Sequence, residues 1–339
     1  MRNERPLGWG LIGASDIART RMIAAIRAQP DSDVVAVMSS QIERARSYAT
    51  ETNIPHAYDS LDAILSDAAV DVVYISTTNE LHAPQTLAAA RAGKHVLCEK
   101  PLALSLDDAH AMVDACRAAG VMLGTNHHLR NAATHRTLRR LIAEGAIGQP
   151  LAARVFHAVK LPPRLQGWRI NRPEAGAGVI LDITVHDADT LRFVLDDEVA
   201  EVTALAAQQG LAAGTLEDTV MGVMRFQSGV LAQFHDAFTI PHAGTGFEVH
   251  GTEGSLFAEG VMTQDPAGRM FLRHNDQREE VDVGALENLY IRSVRLFSQA
   301  VRGEGQPSAT GEDGVRSLAI GLAVQEAARS GRRVQVQYA

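Results

Sequence analysis

His95-Val96-Leu97-Cys98-Glu99-Lys100-Pro101 is the stretch whose reading decides the fold. Its short apolar run predicts a strand buried on both faces, as parallel sheets require. Pro101 has no N–H to give to a strand ladder and biases Lys100 away from the helical region, so the strand is expected to stop here. Glu99 and Lys100 are then left at the carboxyl edge of a sheet, where open α/β sheets place their ligands.

The flanking sequence repeats the pattern. Leu7 to Gly13 is apolar and opens through Ala14-Ser15-Asp16-Ile17-Ala18 into helical spacing at Met22, Ile23 and Ile26. This is the place of a dinucleotide fingerprint, with its first glycine kept as Gly13, its second replaced by Ser15 and its third by Ala18. Val34 to Met38 predicts the next strand, Val72 to Ile75 a third and Val121 to Gly124 a further one. Helices are expected between them, one with Pro84 in its first turn, another capped by Ser105 and ending at Gly120. Strand and helix alternate to about Asn126, which defines a Rossmann-type, doubly wound parallel sheet.

Beyond that point the texture changes. A helix over Thr134 to Glu144 precedes strand-like stretches at 151–158, 199–207, 218–226, 230–238 and 246–250, with a hairpin turn at Phe226-Gln227-Ser228-Gly229-Val230. A last helix is expected from Asp313 to Ser330. The fold class is therefore α/β: an N-terminal Rossmann domain, residues 1–126, and a C-terminal α+β domain on a large, mostly antiparallel sheet, residues 127–339.

Composition narrows the function. The chain has 339 residues, 46% of them hydrophobic, enough for two cores. A formal charge of −8 leaves no basic surplus to neutralise nucleic-acid phosphates or an anionic membrane. The polar start and the lack of a long apolar span point to the cytoplasm. Two cysteines, Cys98 and Cys116, read as apolar filler rather than a disulfide. The expected partner is a small molecule.

The strand ends say which. The Val34–Met38 strand runs into Ser39-Ser40 with Arg44 one turn on, and carries no acid to accept from a ribose 2′-hydroxyl. Hydroxyls and a guanidinium donate to phosphate oxygens, so the turn suits the 2′-phosphate of NADP. Thr77-Thr78-Asn79 is placed to hydrogen-bond a nicotinamide ribose. In the second domain, Gly176-Ala177-Gly178 precedes Asp182 and His186, four residues apart and on one face if the segment is helical. A histidine exchanges a proton near neutral pH, and a carboxylate one turn away can orient it or hold substrate. Gln166-Gly167-Trp168-Arg169 lies in a proline-rich loop. His127 and His128 lack a third ligand at useful spacing, so no metal is expected.

The order of these parts, Gly13-Ala14-Ser15-Asp16-Ile17-Ala18, Glu99-Lys100-Pro101, then Gly178 with Asp182 and His186, resembles the glucose-fructose oxidoreductase, inositol dehydrogenase and MocA family along essentially the whole chain. Thr77-Thr78-Asn79-Glu80-Leu81-His82, Thr125-Asn126-His127-His128-Leu129-Arg130, Gln166-Gly167-Trp168-Arg169 and Asp182-Ile183-Thr184-Val185-His186-Asp187 are most similar to a bacterial branch that reduces a cyclic keto sugar with NADPH. The resemblance implies that Gly13, Ala14, Ser15, Asp16 and Ile17 bind the cofactor's pyrophosphate turn and that Ser39, Ser40 and Arg44 take its 2′-phosphate. It implies that Thr77, Thr78, Asn79, Glu80, Leu81, His82, Glu99, Asn126, Trp168, Arg169 and Tyr290 line the cofactor and substrate walls. Lys100 would hydrogen-bond the substrate and the nicotinamide ribose of the cofactor and help polarise the carbonyl, His186 donate the proton and Asp182 position the sugar. An NAD(P)-dependent inositol or sugar dehydrogenase and a non-enzymatic dinucleotide sensor of the same fold are the alternatives. The chain is expected to be a monomer or to form a homo-oligomer through its C-terminal sheet.

Overall fold

The computed structural model describes residues 5–339. Among these residues two compact units form: one runs up to His128 and takes in Tyr290–Val315, the other comprises Leu129–Leu289 and Arg316–Ala339.

The first unit is built on a six-stranded parallel sheet of strands β1 (Leu7–Ile12), β2 (Ser32–Met38), β3 (His56–Tyr58), β4 (Val72–Ile75), β5 (His95–Cys98) and β6 (Leu123–Thr125). Their order in the sheet is β3-β2-β1-β4-β5-β6. The central strands are apolar on both faces because helices cover both; every residue of β4 is buried. Val72–Ile75 is the fourth strand in the chain and not the third: the short edge strand β3 and the helix Leu61–Ser66 precede it, too brief and too exposed to register as an apolar run. Strand order reverses beside β1, so the carboxyl ends of β1 and β4 flank the sheet's switch point. The backbone ladder continues one residue past several strand ends, with Gly13 N–H donating to Met38 O at 3.0 Å, Ser76 to Ile12 O at 3.0 Å, Glu99 to Ile75 O at 2.9 Å and Asn126 to Cys98 O at 2.7 Å. These bonds fix the residues where the turns begin. Helix Leu106–Ala119 is capped as expected: Ser105 Oγ accepts from Asp108 N–H at 3.1 Å, a contact worth about 1 kcal/mol.

The segment Tyr290–Val315, which a division at residue 126 leaves with the second domain, packs within the first unit. Phe297 of helix Leu289–Val301 lies against Trp9, ring centroids 5.7 Å apart, and Thr125 Oγ1 donates to Thr310 O at 3.0 Å.

The second unit carries a nine-stranded sheet made of β7 (Pro150–Ala158), β8 (Val199–Ala207), β9 (Thr219–Phe226), β10 (Leu231–Ala237), β11 (Gly246–Gly251), β12 (Ser255–Glu259), β13 (Arg269–His274), β14 (Gln277–Val281) and β15 (Val334–Gln335), ordered β14-β13-β12-β11-β7-β10-β9-β8-β15. All pairings are antiparallel except β7 with β10. One face alternates into a core of Val155, Phe234, Met224 and Phe247. Leu205, Met221 and Val223 point to the other face and are exposed. Among the described residues no helix is long and apolar enough to cross a membrane.

Candidate active site

In the first unit the turn after β1 is shaped by sterics. Gly13 has φ +108°, and a Cβ there would lie 3.1 Å from Ser76 O, so only glycine lets the β1 and β4 ends approach this closely. Ser15, at the second fingerprint position, uses its hydroxyl locally: the Oγ is 2.7 Å from Ser76 Oγ and accepts from Ala18 N–H at 3.2 Å, capping the helix that follows. That helix starts with a π turn, Ala18–Met22, before the α-helical Ile23–Arg27. Helix Ile42–Thr52 holds the turn from the other side. Arg44 donates to Ala14 O at 2.9 Å, and Tyr48 Oη, one helical turn further, to Ser15 O at 2.9 Å. Two consecutive carbonyls of the turn are thereby tied back. A cradle closed to any Cβ beside a helix start fits the pyrophosphate of a dinucleotide.

Ser39 is buried at the end of β2 and Ser40 exposed. Arg44 keeps its guanidinium near this strand end through Ala14 and is not taken up by Glu43 or Glu51, which pair with Arg46 and Arg19. After β4, Thr77 Oγ1 donates to Gln85 Oε1 at 2.7 Å and Thr78 Oγ1 to Glu80 Oε1 at 2.8 Å. Asn79 is buried and Leu81 exposed. His82 is fully buried, 2.8 Å from Pro101 O through Nδ1 and 3.3 Å from Thr77 O through Nε2. Burial, helped by the charge of Lys100, holds its pKa below the usual value. The neutral ring donates one proton, and the shorter contact assigns it to Nδ1. His82 therefore ties the turn after β4 to the turn after β5.

Glu99, the residue before Lys100, is fixed by a buried network. It accepts from Tyr74 Oη at 2.5 Å and from Asn126 Nδ2 at 2.7 Å, while Ser293 Oγ donates to Asn126 Oδ1 at 3.2 Å. Burial, with Glu99 alongside, pushes the Tyr74 hydroxyl well above its ordinary pKa, so it remains a donor. Tyr290 is buried and stacks on His128, ring centroids 5.0 Å apart. Lys100 is half-buried beside this network, and the Lys100–Pro101 peptide is cis.

In the second unit, Asp182 and His186 do not lie on a uniform α-helix. A π turn over Ile180–Thr184 runs into the α-helix Val185–Leu195, with Val185 N–H bonding to Ile180 O. Such turns recur at functional sites. Asp182 accepts from Arg169 Nε at 3.4 Å, and the Arg169 guanidinium lies 4.6 Å from the centre of the Trp168 ring. Asp182 is half-buried and His186 buried. Gly178, at φ +107°, precedes the turn, where a Cβ would meet Glu217 Oε1 at 2.3 Å. That carboxylate accepts from Ile180 N–H at 3.2 Å, so the glycine admits an acid that caps the helix carrying Asp182 and His186. Arg130 belongs to the scaffold: it makes a buried bidentate pair with Asp189 at 2.7 and 2.8 Å, and removing one partner of such a pair costs roughly 3–5 kcal/mol.

Within each unit the expected residues converge, Lys100 with Glu99, His82 and Asn126 in the first and Asp182 with Trp168 and Arg169 in the second. The sequence reading passed over Tyr48, Tyr74, Ser76 and Glu217. Only Tyr48 left a signal, its position four residues after Arg44 on one helix face. Among the described residues no group of three or more histidines, cysteines and acids is arranged to hold a metal ion.

A parallel sheet ordered 3-2-1-4-5-6 with a glycine turn at its switch point defines a dinucleotide-binding fold, and sequence comparison makes it that of an oxidoreductase. Residues 7–127 match the oxidoreductase family with an NAD-binding Rossmann fold, and residues 135–257 match the GFO/IDH/MocA C-terminal domain. The chain belongs to the GFO/IDH/MocA family. It is 60% identical to 1,5-anhydro-D-fructose reductase of Ensifer adhaerens, over 97% of this chain and 98% of that one. Among solved structures, an aldose-aldose oxidoreductase from Caulobacter crescentus superposes with a TM-score of 0.89 at 27% identity, covering 98% of this chain and 100% of the other. A 3-ketoreductase from Actinomadura kijaniata, in complex with NADP and TDP-benzene, gives 0.84 at 26% identity, covering 95% and 98%.

Proposed function

We propose that the protein is an NADPH-dependent reductase that converts the ketone of a cyclic sugar, 1,5-anhydro-D-fructose, to the alcohol 1,5-anhydro-D-mannitol. The observation that carries this reading is the 60% identity to an enzyme of that name, sustained over 97% of the chain. When bound, NADPH supplies the hydride. The turn at Gly13–Ile17 holds the pyrophosphate, and Thr77–His82, Glu99, Asn126, Trp168, Arg169 and Tyr290 complete the cofactor and substrate walls. Asp182 hydrogen-bonds the sugar hydroxyls. Lys100 places its ammonium where negative charge grows on the carbonyl oxygen, and His186 gives that oxygen its proton.

Ser39, Ser40 and Arg44 select the phosphorylated dinucleotide. No carboxylate stands at the end of β2 to accept from an unmodified ribose. Replacing Arg44 by Ala is expected to raise KM for NADPH about tenfold, the effect of one lost charge-assisted bond, and to raise KM for NADH much less, because NADH loses only the support that Arg44 gives the Ala14 turn. Initial rates with 1,5-anhydro-D-fructose and each dinucleotide test both points. No turnover with either removes the substrate assignment. Equal use of NADH by the wild type removes the 2′-phosphate role.

A further inference from the structure

Strands β8 and β9 are joined by a long connection, residues 208–218, where hairpin loops commonly hold about 2–5 residues. Asp218, completely buried, organises it. Its carboxyl group accepts from three backbone N–H groups of the loop, Gln209 at 2.6 Å, Leu211 at 2.8 Å and Ala212 at 3.0 Å. Gln208 Nε2 donates to Ala212 O at 2.8 Å, and Ala212 and Leu216 form a small core with Ala177, against which Ile170 packs. The loop is thereby a built element, and it grips the segment between Arg169 and the π turn at both ends. Ala213 N–H donates to Ile170 O at 2.7 Å. Glu217 takes the other end twice, its main-chain carbonyl accepting from Val179 N–H at 3.2 Å and its carboxylate from Ile180 N–H at 3.2 Å. Gly178 N–H closes the segment on itself by donating to Arg169 O at 3.0 Å.

We propose that Glu217 is a positioning residue which, from the β8–β9 loop, sets Arg169 against Asp182. The loop holds the main chain beside Arg169 at one end and the first residues of the turn that carries Asp182 at the other, so the backbones of this pair are kept in one register. The pair needs that hold. Arg169 Nε stands 3.4 Å from Asp182 Oδ1, at the outer limit of a hydrogen bond, and a shift of a few tenths of an ångström loses the contact. The carboxylate then swings free of the guanidinium that orients it toward the sugar. Space is reserved for this arrangement: a Cβ at residue 178 would lie 2.3 Å from Glu217 Oε1, so the glycine and the acid belong together. A hairpin closes without either residue, and their meeting therefore serves the π turn rather than the sheet.

The inference rests on the proposed reductase reading for its effect on rate, while the grip itself is read without any sugar. Glu217→Gln keeps an acceptor for Ile180 and Glu217→Ala does not; both keep the main-chain carbonyl and the loop that Asp218 builds. Hydrogen exchange of the full chain, followed by mass spectrometry, should quicken several-fold over residues 178–182 in Glu217→Ala and match the wild type in Glu217→Gln. With 1,5-anhydro-D-fructose, Glu217→Ala should lose about tenfold in kcat/KM, the effect of one lost hydrogen bond to a charged group. The NADPH dissociation constant should stay as it was, and Glu217→Gln should stay close to the wild type. In an Arg169→Ala background the same Glu217→Ala change should cost almost nothing, because the contact it supports is already gone. Unchanged exchange in Glu217→Ala overturns the grip, whether or not the sugar is turned over. An unchanged kcat/KM, a tenfold loss that persists in the Arg169→Ala background, or an equal loss in NADPH affinity overturns the positioning role. Absence of turnover in the wild type removes the reductase reading instead.

Discussion

Replacing Lys100 by Ala should lower kcat by about 100- to 1,000-fold, the usual effect of removing one preorganised group that stabilises an oxyanion, and leave the dissociation constant for NADPH almost unchanged. The asymmetry follows from where the lysine sits. In the proposed complex the dinucleotide is held by many groups, from the Gly13 turn to the ends of β2 and β4, whereas the ammonium is asked to act mainly on charge that appears on the carbonyl oxygen as it is reduced. Lys100 itself is half-buried, with the fully buried His82 close enough to feel its charge. Fluorescence titration of NADPH, read beside steady-state rates, separates the two. Equal losses in affinity and turnover would make Lys100 a cofactor ligand and nothing more.

Replacing His186 by Ala should cost about 100- to 10,000-fold in kcat, the range for a lost general acid, and free imidazole in the assay should restore part of the rate. Rescue is the informative arm. His186 is buried at the junction of the π turn and the α-helix, so truncation leaves space that a small base can enter. A histidine that only packs against its neighbours would lose stability without gaining any response to imidazole. Failure of rescue, in a variant that still binds NADPH, would remove the proton-donor role.

How much of this was legible beforehand varies with the physics of each element. Central parallel strands are readable because burial on both faces forces an unbroken apolar run; Val72–Ile75 and His95–Cys98 advertise themselves in that way. The strands β13 and β14 do not, since they are held partly by exposed cross-strand pairs such as Arg269 with Glu280 at 2.7 Å and present no apolar alternation. Helix Leu289–Val301 was passed over although its first residues supplied a candidate, Tyr290. The sites divide similarly. Glu99-Lys100-Pro101 and Asp182 to His186 are contiguous in sequence and could be found there. Tyr74 and Ser293 come from separate elements, and only their meeting with Glu99 and Asn126 gives them chemical meaning.

The π turn at Ile180–Thr184 makes the proposed catalytic segment sensitive to length in a way that its composition is not. A π turn is an α-helix holding one surplus residue. Excision of a single apolar residue between Asp182 and His186 would let the chain relax into regular α-helix and keep its buried, greasy character. The helix downstream would keep its register, while the bulge between Asp182 and His186 would close and change how the two side chains stand relative to each other. For this stretch, the alphabet is forgiving and the residue count is not.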